Sequence, residues 1–300
     1  MCKVAVAGGR IWPTNLALSK GTGPRRALIS AAVLAAMVVG SPVAEAANGW
    51  PSKVSATYRI TFNGFDIGTF RFRSKVSARG YTLDGHANIS ALLGAVKWQG
   101  ITRSSGKAYR QRPAPKDYVF NFRSGAKSGN IKVGFNKGRV SDVRQNPPLP
   151  TKPGEVPLKR GHLSGVLDPL SAVMALTRPA SANPCAQRLK IFDGKQRFDL
   201  ALSFKRQDAI GSNMRIAGQP GIAVVCAVKY QPVAGYAPSA EVERLASGRA
   251  LEVSLRPVPG AGIHIPHQIK VSTMAGPVAL IAQRVEITTD DRQRIGVVSR

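Results

Sequence analysis

Acidic residues are scarce in this chain: 16 Asp and Glu stand against 43 Lys and Arg in 300 residues, for a formal net charge of +27. Histidine is scarcer still, at four. So few carboxylates and imidazoles leave little material for a paired acid–base mechanism or a clustered metal site. Cysteine occurs three times with no Cys-x-x-Cys, which disfavours a redox enzyme. Also missing are a Gly-x-Ser-x-Gly elbow, a His-Glu-x-x-His helix and a phosphate-cradling Gly-x-x-x-x-Gly-Lys-Ser/Thr loop. The longest apolar run, Ala27 to Val39, falls short of the roughly 20 residues that a membrane-spanning helix requires. Nothing in this inventory supports an enzyme.

What is present begins with an export signal. Arg25-Arg26, the run from Ala27 to Val39 and Ala44-Glu45-Ala46 supply its basic, apolar and small-residue regions. Residues 1–46 are therefore expected to be cleaved after Ala46, the alternative being a retained N-terminal anchor. No cysteine follows the run, which argues against a lipoprotein and leaves the periplasm as the expected compartment. Losing Lys3, Arg10, Lys20, Arg25, Arg26 and Glu45 leaves a mature charge of about +23. Either that charge coats solvated faces, or it draws the protein to anionic lipid, lipoprotein or envelope glycan rather than to nucleic acid. Cleavage also removes Cys2. Cys185 and Cys226 are expected to form a disulfide, the alternative being a buried free thiol at Cys226 beside an unrelated Cys185.

One stretch after the signal reads as a strong helix, over residues 168–177. Asp168 suits the N-cap, Pro169 the first helical position, and Leu170, Val173 and Met174 share a face, with Arg178-Pro179 as the stop. Elsewhere the pattern has period two. Lys53 to Phe62 alternates into Asn63-Gly64, a strong hairpin signal, and Gly68 marks a bulge or a close backbone crossing. Further strands centre on Tyr81 to Ile89, on Val96 and Trp98, and weakly on Ala108 and Arg110. Tyr118, Phe120 and Phe122 pair with Ile131, Val133 and Phe135. Five prolines make residues 146–157 an extended crossover. Strands resume at Leu189 and Ile191, turn at Asp193-Gly194, and continue through Phe198 to Phe204 and Ile222 to Tyr230. A short helix or turn covers Ser239 to Ala246. The last strands run from Leu251 to Ile287, and residues 290–300 form a flexible tail.

About a dozen strands cannot lie in one open, strongly twisted sheet without curling or closing. Residues 47–289 are therefore expected to be a single mainly β domain: one large curved antiparallel sheet or partial barrel wrapped around a single central helix. The expected lining of its inner side is Tyr58, Phe62, Phe70, Phe72, Trp98, Tyr118, Phe120 and Phe122 from the sheet, with Leu170 and Met174 from the helix. These groups either fill that side or leave a groove able to take a lipid chain. Arg59, Arg71, Arg73, Arg103 and Arg123 on the polar strand faces form a candidate anion-binding stripe. No cofactor or metal is implied: His264 and His267, three apart in an extended segment, point to opposite faces.

Four segments carry a resemblance to a known family: Tyr58 to Phe70, Asp168-Pro169-Leu170-Ser171-Ala172, Ile191-Phe192-Asp193-Gly194 and the surroundings of Cys226. Over about residues 52–288 the chain resembles the exported family of unknown function DUF3108. The resemblance implies a β-rich envelope protein with no established activity. A fainter likeness of architecture runs to lipoprotein-carrier folds, which is analogy alone. The expected function is thus non-enzymatic binding or scaffolding of lipid, lipoprotein or acidic glycan through an apolar groove with a basic rim. The alternatives are an envelope hydrolase built on Asp168, Asp193, Asp199 or His162, and a structural protein that docks on a partner by a sheet edge.

Overall fold

The computed structural model describes residues 49–91, 94–109, 112–177, 183–211 and 221–298. The expected export signal, the Arg178-Pro179 stop and the last two residues lie outside them. Fourteen strands form one antiparallel sheet. The first seven are β1 (Lys53–Phe62), β2 (Phe65–Ser77), β3 (Gly80–Ala91), β4 (Val96–Tyr109), β5 (Arg112–Ser124), β6 (Lys127–Asn136) and β7 (Arg139–Asn146). After α1 (Pro169–Leu176) come β8 (Arg188–Phe192), β9 (Arg197–Ala209) and β10 (Ile222–Ala234). Then follow α2 (Ala240–Ala246), β11 (Leu251–Val258), β12 (Ile263–Thr273), β13 (Gly276–Thr288) and β14 (Arg294–Val298).

The strand order is β7-β6-β5-β4-β3-β2-β1-β13-β12-β11-β10-β9-β8, two meanders joined where β1 pairs with β13. Local chemistry sets the turns. Asn63 and Gly64 both take positive φ, 50° and 85°, which is the twist a two-residue hairpin needs, and Phe62 faces Phe65 across it. Gly68 is a close backbone crossing, because a Cβ there would lie 2.0 Å from the carbonyl oxygen of Asn88. At the β8–β9 turn Asp193 Oδ1 accepts hydrogen bonds from the amides of Lys195 at 2.8 Å and Gln196 at 2.6 Å. Tyr118 and Phe120 pair with Val133 and Ile131 as the alternation predicts, whereas Phe122 faces Gly129 and Phe135 faces Val140 of β7, because the β5–β6 turn is tighter than expected.

Several features depart from the expected pattern. The ladder is open, not a closed or strongly curled barrel. Its ends β7 and β8 do not pair with each other, and a strap, Ser164 to Leu167, touches both: Ser164 bridges to Arg139 and Leu167 to Ile191. The central helix is not the sole one: the short helix or turn expected over Ser239 to Ala246 is the helix α2, capped by Ser239 and burying no residue. Ala108 belongs to the end of β4 and starts no strand of its own. The stretch before the prolines forms β7, with polar groups at most positions and its hydrogen bonds supplied by β6. The tail expected to be flexible from residue 290 instead carries β14, which pairs with β13 past the end of β12.

The core lies on the α1 side of the sheet. Leu170 and Met174 pack with Tyr58, Phe72, Leu83 and Val285, whereas Ala172 and Leu176 pack with Leu189, Cys226 and Leu255. Tyr118, Ile131, Val133 and Phe135 enclose Phe192, which brings β8 against the N-terminal meander. Cys185 and Cys226, 41 positions apart in sequence, form a disulfide with their Cα atoms 5.4 Å apart, both almost wholly buried. It fastens the segment after α1 to β10. Loop-closure entropy for a span of this length is worth about 4 kcal/mol. Replacing both cysteines by alanine is expected to lower the unfolding free energy by up to about that amount, read as an earlier midpoint in urea.

Candidate functional site

Asp168 organises the α1 face. It has no solvent exposure, and neither do Ser104 and Ser171. Its Oδ1 accepts the amides of Leu170 and Ser171, each at 3.0 Å, so the N-cap read from the sequence is formed twice over. Its Oδ2 accepts the hydroxyls of Ser171 at 2.5 Å and of Ser104, on β4, at 2.9 Å. The Tyr81 hydroxyl, on β3, lies 2.7 Å from Ser171 Oγ. Burial pushes the Asp168 carboxyl above the usual carboxylate range, against the pull of these hydrogen bonds. At the other end of α1, Trp50 Nε1 donates to Thr177 Oγ1 at 3.2 Å. The helix is therefore held to the sheet at both ends.

The expected groove lining separates into two groups. Tyr58, Phe72, Tyr118, Leu170 and Met174 are buried around α1. The cavity left beside Tyr58, Phe72 and Met174 is about 30 Å³, room for about one water, so this half of the groove is filled. Phe62, Phe70, Trp98, Phe120 and Phe122 are only half-buried. Register puts Phe122, Gly100, Ala87, Phe70 and Tyr58 in one row across β5 to β1, which continues the α1 face past the helix. Ring centroids lie 6.3 Å apart for Trp98 and Phe120 and 5.8 Å apart for Phe120 and Phe122. Two glycines make the floor: a Cβ on Gly100 would stand 2.4 Å from the Trp98 ring, and one on Gly129 2.5 Å from that of Phe122. The result is an aromatic shelf at the strand ends nearest the Asn63-Gly64 turn.

The candidate arginine stripe lies on the opposite face and is partly neutralised. Arg103 pairs with Asp84 at 2.7 Å, and Arg59 approaches Asp66 at 3.4 Å. Arg71, Arg73 and Arg123 have no carboxylate within 4.0 Å among the described residues, so three of the five cations are unpaired.

The groups on which a hydrolase would rest each have a separate structural partner. Asp168 caps α1, and Asp193 shapes its turn. Asp199 is buried between Arg188, at 2.9 Å, and Arg197. His162 Nδ1 accepts the amide of Lys159 at 3.2 Å. The geometry directs none of the four at a shared opening. Sequence reasoning missed Arg256 on β11, which is 2% exposed with no hydrogen-bond partner for Nη1; beside it His267, read from the sequence only as a weak metal candidate, has its Nδ1 buried and unpartnered too. Alternation from Leu251 to Val258 sets Arg256 on the side of Glu252 and Ser254, so nothing in the sequence signals its burial. Desolvation first, then the Arg256 charge, lowers the His267 pKa.

Asp168→Ala is expected to destabilise the fold by about 2–4 kcal/mol, since it removes a cap and orphans two buried hydroxyls. Asp168→Asn, which can cap and whose amide can donate to the serines, is expected to cost under about 1 kcal/mol. The raised carboxyl also sets a sign. The unfolded chain releases this proton first, so wild-type stability falls relative to Asp168→Asn as pH rises from about 4. Thermal melts across that range read both effects. Burial likewise raises the phenols of Tyr58, Tyr81 and Tyr118, so stability falls again above about pH 10, with these three rings silent in an ultraviolet titration until the chain unfolds.

No curated protein and no solved structure shows significant similarity to the chain. The family model described as a protein of unknown function, DUF3108, matches residues 57–283. That span runs from β1 into β13 and takes in α1, its Asp168 cap and the disulfide, so the chain belongs to the DUF3108 family.

Proposed function

We propose that the protein is an exported, periplasmic, non-enzymatic binder of envelope amphiphiles that holds an acyl chain on the aromatic shelf. The observation that carries this reading is the half-buried row of Phe70, Trp98, Phe120 and Phe122 on the same face that α1 covers elsewhere. Side chains of this size, left partly open beside a closed core, form an apolar patch with area still to bury. Their glycine floor keeps the rings flat against the sheet and so leaves a shallow surface that suits a methylene chain. The signal sequence and the disulfide support the compartment. The separate engagement of Asp168, Asp193, Asp199 and His162 favours binding over hydrolysis.

A second reading rests on the ladder's edge. β8 pairs with β9 only from Arg197 to Ala201, so beyond Leu202 the outer edge of β9 has no strand beside it among the described residues, and Phe204 there is 58% exposed. A partner strand adding at this edge would make the protein a scaffold.

Trp98 provides the test of the first reading. A brominated fatty acid is expected to quench the protein's tryptophan fluorescence saturably, and Trp98→Phe is expected to abolish that quenching because Trp50 is buried under α1. Phe122→Ser is expected to weaken binding about tenfold by removing one ring contact. Quenching that is linear and unsaturable, or unchanged in Trp98→Phe, would refute the shelf. Crosslinking in cells from position 204 to a single protein would support the edge reading instead.

A further inference from the structure

The turns at the far end of the same strands, away from the shelf, enclose a second surface. Lys75, Arg79, Lys107, Lys116 and Lys137 surround a recess of about 1210 Å³ between the β2–β3 turn, the β6–β7 turn and the start of β5. Its floor is apolar, formed by Val76, Tyr81, Pro115 and Phe135. An adjoining recess of about 480 Å³ shares Ala114, Pro115 and Gly138 with the first and adds Arg112, Arg188 and Lys190. No Asp or Glu lines either recess. Arg188 is paired with Asp199, but the other seven cations have no carboxylate within 4.0 Å among the described residues.

Exposed carboxylates do pair with cations elsewhere, as in Asp84 with Arg103, Asp208 with Arg206 and Glu286 with Arg284. Here their absence leaves like charges crowded around one trough, a field that a multiply charged anion relieves. The lining also narrows the class of anion. Its rings, Tyr81 and Phe135, are buried, so none offers a face for stacking a nucleobase or a sugar. No carboxylate is present to accept sugar hydroxyls. Cations above an apolar floor match a phosphate headgroup with its glycerol and first methylenes beneath it.

We propose that this trough docks the protein on the phosphate headgroups of an anionic bilayer. The inference goes beyond the acyl-chain reading and uses separate residues at the opposite strand ends, so either can fail alone. Each Lys or Arg near an anionic surface strengthens binding roughly fivefold.

The test is co-sedimentation of the exported protein with vesicles of equimolar phosphatidylglycerol and phosphatidylcholine at low salt. Binding is expected there, with none to pure phosphatidylcholine and loss at high salt. The triple variant Lys75→Gln, Lys107→Gln, Lys116→Gln is expected to bind roughly a hundredfold more weakly with an unchanged melting temperature, since all three side chains are exposed. The matched variant Arg71→Gln, Arg73→Gln, Arg123→Gln removes the same charge from the polar sheet face and is expected to lose less than tenfold. Equal losses in the two variants would overturn the proposal in favour of net charge alone. Tighter binding to a single-stranded oligonucleotide, or full competition by tripolyphosphate at matched phosphate concentration, would overturn it in favour of a free polyanion. Phe122→Ser is expected to keep vesicle binding while weakening fatty-acid binding about tenfold, which separates the two sites.

Discussion

The fold depends on one carboxylate that water does not reach. A helix of eight residues has too few internal hydrogen bonds to persist alone. Asp168 supplies what is missing by accepting two helix amides and, through its second oxygen, hydroxyls from α1 and β4. A bare buried carboxylate would be costly, but a fully satisfied one in a low-dielectric core is strong and geometrically exacting. The same contacts that cap the helix therefore fix where it lies on the sheet. Leu170, Ala172, Met174 and Leu176 follow from that placement, and they join the packing of the two meanders.

With that plug in place, the α1 face differs along the length of its strands. Beneath the helix the rings of Tyr58, Phe72 and Tyr118 are sealed. Toward the Asn63-Gly64 end Trp98, Phe120 and Phe122 lie half open, and toward the opposite turns the surface becomes basic. The few carboxylates are spent on capping, on turns and on ion pairs such as Asp199 with Arg188 and Arg197. That expenditure leaves the cations around the turns in excess, so the charge imbalance of the sequence appears in the structure as a localised field.

Features governed by neighbours in sequence were readable before any coordinates. Asn63-Gly64, Asp168-Pro169 and Asp193-Gly194 each encode a backbone geometry within two or three residues, and all three appear in the structure. So do the pairing of Tyr118 and Phe120 with Val133 and Ile131 and the Cys185–Cys226 bond. Features governed by distant partners were not readable. β7 carries little apolar signal and exists because β6 offers it hydrogen bonds. The strap from Ser164 to Leu167 that bridges to both end strands shows no pattern of its own. The half-filled groove was undecidable because the same aromatic alternation serves the sealed rows and the shelf. The basic trough gathers lysines from turns far apart along the chain, and the burial of Arg256 is set by the β11–β12 packing around it.

The pairing of β1 with β13 sets an order of events. Ser52, just ahead of β1, gives its hydroxyl to the carbonyl of Thr288, 236 positions away, and the ladder on either side of that seam consists of neighbouring hairpins. Each meander can zip locally as the nascent chain emerges, but β1 keeps a bare edge until β13 arrives. The contact order of that seam makes its closure the slow, late step of maturation. Until the C-terminal strands arrive, the half-built sheet is a template for mispairing, so the unfinished chain depends on shielding of that edge.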